Sequence, residues 1–100
     1  MGVRSRSPLP TGAQFGLSIA DTVVTLTVPA AAMVAEIYVR TAPIVFTRDG
    51  TDHTSTKGIQ AEIADIIMLN SRAELDRFKA IRQTSTSATV DVEYFTDVSG

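Results

Sequence analysis

The sequence predicts a mainly β fold: a small antiparallel β-sandwich or jelly roll with one short helix and an extended N-terminal arm. Three observations predict it. Apolar and polar residues alternate over several short stretches, these stretches are rich in β-branched side chains, and Pro, Gly or Ser/Thr clusters separate them. The chain has 100 residues, 44% of them hydrophobic and 20% charged, which is typical of one globular domain. We expect residues 1–13 to form the arm and residues 14–100 the sandwich.

The arm, MGVRSRSPLPTGA, combines Arg, Ser, Pro and Gly without apolar periodicity, which predicts a flexible or extended segment. Two prolines flank Leu9 and favour an extended backbone when a partner holds it. Arg4, Arg6 and Leu9 are therefore candidate contact residues.

Three strands are predicted in the first half of the domain. Residues 22–28 (TVVTLTV) and residues 33–40 (MVAEIYVR) both alternate with a period of two, so each has one face for the core. A proline precedes the third strand, residues 44–48, and Asp49-Gly50 closes it as a turn. In the second of these strands Tyr38 and Arg40 share the polar face, which makes both candidate interface residues.

The second half of the chain predicts the helix and further strands. Ser71 and Glu74 have the spacing of a capping box, which predicts a short helix ending near Arg77 with Leu75 and Phe78 facing inward. Residues 78–83 fit a strand or a longer helix, and we expect the strand. The strands expected here are residues 59–60, 63–69, 78–83 and 88–96.

Composition excludes several classes of function. The net charge of −2 argues against a nucleic-acid binder, because neutralising phosphates needs a basic surface. The chain has no cysteine, so disulfides and thiolate chemistry are excluded, and we expect no cofactor. The longest apolar run, residues 29–35, is too short to span a bilayer, so no membrane partner is expected. Basic and acidic residues alternate in one further stretch, and we expect their side chains to form a solvated face with salt bridges between them. These residues are Arg72, Glu74, Asp76, Arg77, Lys79 and Arg82.

The segment TRDGTDHTSTKG, residues 47–58, is the one place that resembles a chemical site. It contains the single histidine, His53, with Asp49, Asp52 and several hydroxyls nearby. The spacing of the two aspartates excludes an EF-hand, and a catalytic triad drawn from one polar loop lacks a rigid frame. We therefore expect a polar turn, no enzyme and no metal site, with Arg48, Asp49 and His53 as candidate contact residues.

Three stretches resemble small structural proteins of tailed bacteriophages: APIVFTRDGTDHTSTKG (42–58), DIIMLNSRAELDRFKAIRQ (65–83) and ATVDVEYF (88–95). In that family a strand ends in an Arg-Asp-Gly turn, and a capped helix, a Phe-x-x-Ile segment and a strand ending in aromatics follow. The resemblance covers about half to two-thirds of the chain. This chain departs from the pattern at His53, where the family has proline, which indicates either a tolerated loop change or a pH-sensitive contact.

The resemblance implies a virion component, a decoration or cement protein that binds the major capsid protein on the capsid exterior as a homotrimer. Before assembly it would reside in the host cytoplasm. The alternatives are a head–tail or tail component of the virion, or a β-sandwich module that binds glycans.

Overall fold

A computed structural model describes residues 9–50, 54 and 57–96. Arg4, Arg6, Asp52 and His53 lie outside the described residues, as does the side chain of Leu9. The described residues form seven strands and one short helix arranged as two antiparallel sheets, which confirms the predicted mainly β sandwich.

The larger sheet has the order β1-β7-β2-β5 and the smaller sheet the order β4-β3-β6. The elements are β1 Leu9–Ile19, β2 Val34–Val39, β3 Ile44–Thr47, β4 Ile59–Ala61, β5 Ile66–Leu69, α1 Arg72–Arg77, β6 Lys79–Arg82 and β7 Ala88–Thr96. Strands distant in sequence thus become neighbours, because β1 at one end of the chain pairs with β7 at the other.

Strand β1 differs from what the sequence predicts. The predicted boundary between arm and domain, at residues 13 and 14, lies inside β1, which begins at Leu9 opposite Thr96 of β7. Its register shifts twice, once between Pro10 and Gly12 and once between Gln14 and Leu17. An edge strand interrupted by bulges does not keep a constant inward face, so the alternation that identifies the other strands is missing here.

The strand predicted at residues 22–28 was wrong. Only Val24 pairs, through two backbone hydrogen bonds with Ala80 of β6, at 2.9 and 3.0 Å. Val24, Leu26 and Val28 nevertheless pack against the core as the alternation predicts, while Val23 is exposed. The segment pairs with β6 at Val24, and further along it the Thr27 amide donates a hydrogen bond to the Gln14 side chain of β1 at 3.1 Å.

The core lies between the sheets and is formed by one face of each principal strand. The predicted inward faces of β2 and β7 are confirmed, and Leu75 and Phe78 are each 1% exposed. The buried side chains of β2 are Ala35, Ile37 and Val39, and those of β7 are Ala88, Val90, Val92 and Tyr94.

Helix α1 has the predicted start and end. The Ser71 hydroxyl accepts a hydrogen bond from the Glu74 amide at 3.2 Å, and the Glu74 carboxylate accepts one from the Asn70 amide at 2.7 Å. Phe78 is extended, and β6 follows it directly, as expected. After β3 the chain bends at Arg48 and Asp49, and Gly50 has a φ of +84° that favours glycine.

Candidate interaction surface

The larger sheet presents one face to the core and the other away from it. Successive side chains of a strand point to opposite faces, so the residues between the buried positions of β2, β5 and β7 point outward. We call this surface the outer face. It consists of Phe15, Glu36, Tyr38, Arg40, Ile63, Ile66, Met68, Asp91 and Glu93.

Much of the outer face is apolar and exposed. Phe15 is 76% exposed, Ile66 55% and Ile63 53%. With Tyr38 these side chains line a groove of about 520 Å³ that also contains the carboxylates of Asp91 and Glu93. Contiguous apolar surface of this kind, with polar groups beside it, is characteristic of interaction sites.

A β-bulge in β1 carries Phe15 at the exposed outer face. The register shift between Gln14 and Leu17 places Gly16 at a φ of +67°. Asp91 fixes this geometry, because its carboxylate accepts hydrogen bonds from the Gly16 amide and the Arg40 guanidinium, both at 2.8 Å. Bulges of this kind re-aim a side chain, and here the side chain directed outward is the phenyl ring of Phe15.

Replacing Gly16 with alanine is expected to lower the free energy of unfolding by about 1–2 kcal/mol, since an L-residue is strained at this positive φ. No atom lies within 4 Å of the added Cβ, so the cost is due to the backbone alone. Gly16→Asn is the control, because asparagine tolerates the left-handed region better. Urea denaturation of both variants measures the difference; equal stability of the alanine variant and the native chain would contradict the strained bulge.

Two glutamates form the acidic centre of the outer face. Glu36 of β2 lies directly opposite Glu93 of β7 in the register of the sheet. The Tyr38 hydroxyl donates a hydrogen bond to the Glu36 carboxylate at 2.5 Å. That hydrogen bond, then burial, then the negative charges of Glu36 and Glu93 raise the pKa of Tyr38 above its ordinary value.

The structure brings together only part of the contact set predicted from the sequence. Tyr38 and Arg40 both line the groove of the outer face. Arg48 lies beyond the end of β3 in the other sheet, with its guanidinium 5.6 Å from the ring centroid of Phe46, and Asp49 follows it. Leu9 begins β1, and Arg4, Arg6 and His53 belong to the undescribed residues. Sequence reasoning missed Phe15, Ile63 and Ile66. For Phe15 the available signal was an aromatic residue directly before a glycine.

Across residues 9–50, 54 and 57–96, no group of three or more His, Asp or Glu side chains is placed to hold a metal ion. In the same part of the chain, no helix has the length and apolar character needed to cross a membrane.

Comparison with protein-family models, with curated proteins and with solved structures gives no match for this chain.

Proposed function

We propose that this chain is a non-enzymatic structural protein of a tailed-phage virion, which binds the outer surface of the capsid as a symmetric oligomer and stabilises the shell. The observation that supports the proposal most strongly is the outer face, where exposed apolar side chains surround carboxylates on a rigid sheet. A rigid, partly apolar sheet face suits the binding of another protein surface.

Phe15 is the expected anchor of this contact. Aromatic side chains near the middle of an interface contribute most of the binding energy when a pocket on the partner removes them from water. The hydrogen bond from the Gly16 amide to Asp91 fixes the backbone that carries the ring, which reduces the backbone entropy lost on association. Several copies bound to one shell add avidity to a modest contact per copy.

Phe15→Ala is expected to weaken capsid binding by about tenfold or more, because losing an anchoring aromatic costs about 2 kcal/mol or more of binding energy. The measurement is co-sedimentation of the purified chain with undecorated capsids of the phage that encodes it. Since the ring is 76% exposed in the free chain, the variant is expected to fold normally.

Val23→Ala is the matched control for that experiment. Val23 is also exposed, at 44%, but it lies on the segment that covers β6, away from the outer face. The Val23→Ala variant is expected to bind capsids with the affinity of the native chain. Equal capsid affinity of the Phe15 and Val23 variants would show that the outer face is not the capsid-binding surface.

A glycan-binding module is the second candidate, and the composition of the groove favours it. Phe15 and Tyr38 offer aromatic platforms, and Asp91 and Glu93 offer hydrogen-bond acceptors for sugar hydroxyls. Binding on a glycan array that Tyr38→Ala abolishes, without binding to capsids, would favour this candidate over the virion role.

A further inference from the structure

Strand β5 lies at one edge of the larger sheet, with β2 on one side of it. The Val39 amide of β2 donates a hydrogen bond to the Asp65 carbonyl at 3.0 Å, so the backbone of Asp65 faces β2. Hydrogen bonds to one neighbour recur at every second residue of an antiparallel strand. Ile67 therefore also faces β2, and the backbone amides and carbonyls of Ile66 and Met68 face the open edge.

Local hydrogen bonds limit the open edge to this short stretch. On one side the Ala64 amide donates to a carbonyl of β2 at 2.9 Å, and Ala64 has a φ of +76°. This arrangement is a β-bulge, which interrupts regular pairing. On the other side the Asn70 amide donates to the Glu74 carboxylate at 2.7 Å. Between these two points, no group of the described residues bonds the edge-facing amides and carbonyls of Ile66 and Met68.

The sequence of β5 does not protect it from pairing with another strand. Proteins usually block an exposed edge with charges, proline or bulges. The other edge strand, β1, contains Pro10 and two register shifts. In contrast, β5 reads IIML, and its outward side chains, Ile66 and Met68, are exposed. Beside it, the exposed Ile59 of β4 lines a groove of about 390 Å³ between the edges of the two sheets. An apolar edge of this kind is suited to a further strand.

A second copy of β5 satisfies these backbone groups in one antiparallel register. When the pairing is centred on Ile67, Ile66 of each copy lies opposite Met68 of the other, and each such pair exchanges two hydrogen bonds. Centring it on Ile66 or Met68 instead would require the amide of Ala64 or Asn70, which is already bonded. We propose that two copies of this chain pair along β5 about a two-fold axis at Ile67, which joins their larger sheets into one continuous sheet.

The side chains are compatible with this register. Directly opposed residues share a face, so Ile66 and Met68 of both copies form one apolar cluster on the outer face. Asp65 lies opposite Leu69 of the second copy, so no charge meets a like charge across the new pair of strands. The two copies of Glu36 are three strands apart, about 14 Å, which is beyond the screening length at physiological salt. Since each chain has one β5, the contact forms only between chains.

The contact is isologous, so it closes with two copies. Four residues from each strand make a small interface, below the roughly 1,200–2,000 Å² of stable complexes, and the dimer is therefore expected to depend on concentration. Phe15, the expected capsid anchor, lies on β1 at the opposite edge of the sheet and is not covered by this pairing. The inference rests on the self-association within the proposed function, and it specifies the strand and the symmetry that join the copies.

Single cysteines in the full chain, which has none of its own, test the register. Position 67 would face itself across the axis with the Cα atoms about 4.5 Å apart, within the range of a disulfide. Position 66 would lie diagonal to itself at about 7–8 Å, outside that range. Under mild oxidation, Ile67→Cys is expected to form a cross-linked dimer about tenfold or more faster than Ile66→Cys, the matched control. Equal rates, or no cross-linking of Ile67→Cys, would contradict the register.

Met68→Pro tests the pairing of the backbone. Proline removes an amide that faces the open edge, so the hydrogen bonds between β2 and β5 remain. In size-exclusion chromatography with light scattering, the mass of the native chain is expected to rise with concentration toward twice 10.7 kDa. Met68→Pro is expected to dimerise about tenfold or more weakly. Met68→Ala keeps the amide and is expected to weaken the dimer less.

Three results would overturn the inference: a native chain that stays monomeric, a mass of three chains, or dimerisation of Met68→Pro with native affinity. Capsid co-sedimentation separates its failure from that of the proposed function. Capsid binding by a monomeric native chain would remove the dimer and leave the virion role. A chain that cross-links at position 67 but does not bind capsids would remove the virion role alone.

Discussion

Phe78→Ala is expected to lower the free energy of unfolding by about 3–5 kcal/mol. Phe78 is 1% exposed and follows α1 directly, so it joins the helix to the core. Its ring stacks on Phe46 with 5.7 Å between the ring centroids. Alanine leaves a cavity between these elements, and urea denaturation followed by far-ultraviolet circular dichroism measures the cost.

Two further variants separate the effect of the cavity from that of losing an aromatic ring. Phe78→Leu keeps most of the apolar volume and is expected to cost about 1–2 kcal/mol. Phe15→Ala removes a phenyl ring from an exposed position, and it is expected to change the free energy of unfolding by at most about 0.5 kcal/mol. If Phe78→Ala costs no more than Phe15→Ala, the placement of Phe78 in the core is incorrect.

The sequence was most informative where one face of an element is buried throughout. Residues 88–96 alternate without interruption, and β7 occupies Ala88–Thr96 with its inward positions fully buried. Helix α1 was predictable for a different reason, because the Ser71 cap is a local interaction that needs no tertiary information. Both signals arise within a few residues of the chain.

Alternation reports burial and does not report pairing. Residues 22–28 partly bury alternate side chains against the core, yet they pair with β6 only at Val24. Conversely, β1 pairs along β7 from Leu9 to Ile19, yet its bulges and exposed positions remove the alternation. Edge strands and covering segments are therefore the elements for which the sequence alone gives the wrong assignment.

The outer face was only partly predictable because strand order assembles it. Tyr38 and Arg40 lie two residues apart, so their shared face is visible in the sequence. Phe15 and Ile66 become neighbours of Tyr38 only through the order β1-β7-β2-β5. The backbone contacts of Arg72 were also not predictable from the sequence, from which its side chain was expected on a solvated face. Its guanidinium instead donates hydrogen bonds to the carbonyls of Pro29, Ala30 and Ala32 at 2.8–3.2 Å, in addition to its ion pair with Asp76.

Stability is expected to fall as the pH rises from about 10 to about 12, because Tyr94 must lose its proton when the chain unfolds at alkaline pH. The Tyr94 side chain is fully buried, its hydroxyl donates to the Gln14 side chain at 2.6 Å, and burial raises its pKa to about 12. An unfolded tyrosine has a pKa of about 10. The contribution is therefore complete below pH 10 and is lost through pH 12, with a total of about 2–3 kcal/mol.

Tyr94→Phe isolates this contribution. At neutral pH it is expected to cost about 1 kcal/mol, since Gln14 loses its hydroxyl donor. Between pH 9 and pH 11 its urea midpoint is expected to fall less steeply than that of the native chain, because only the native chain carries the buried phenol. Tyr38→Phe measures separately the contribution of the other tyrosine, whose pKa is also raised by its hydrogen bond to Glu36, by burial and by the charges of Glu36 and Glu93. Deprotonation of lysines is common to all three proteins, so the difference in slope belongs to Tyr94. An unchanged slope in Tyr94→Phe would mean that the phenol is not protected from ionisation in the folded chain.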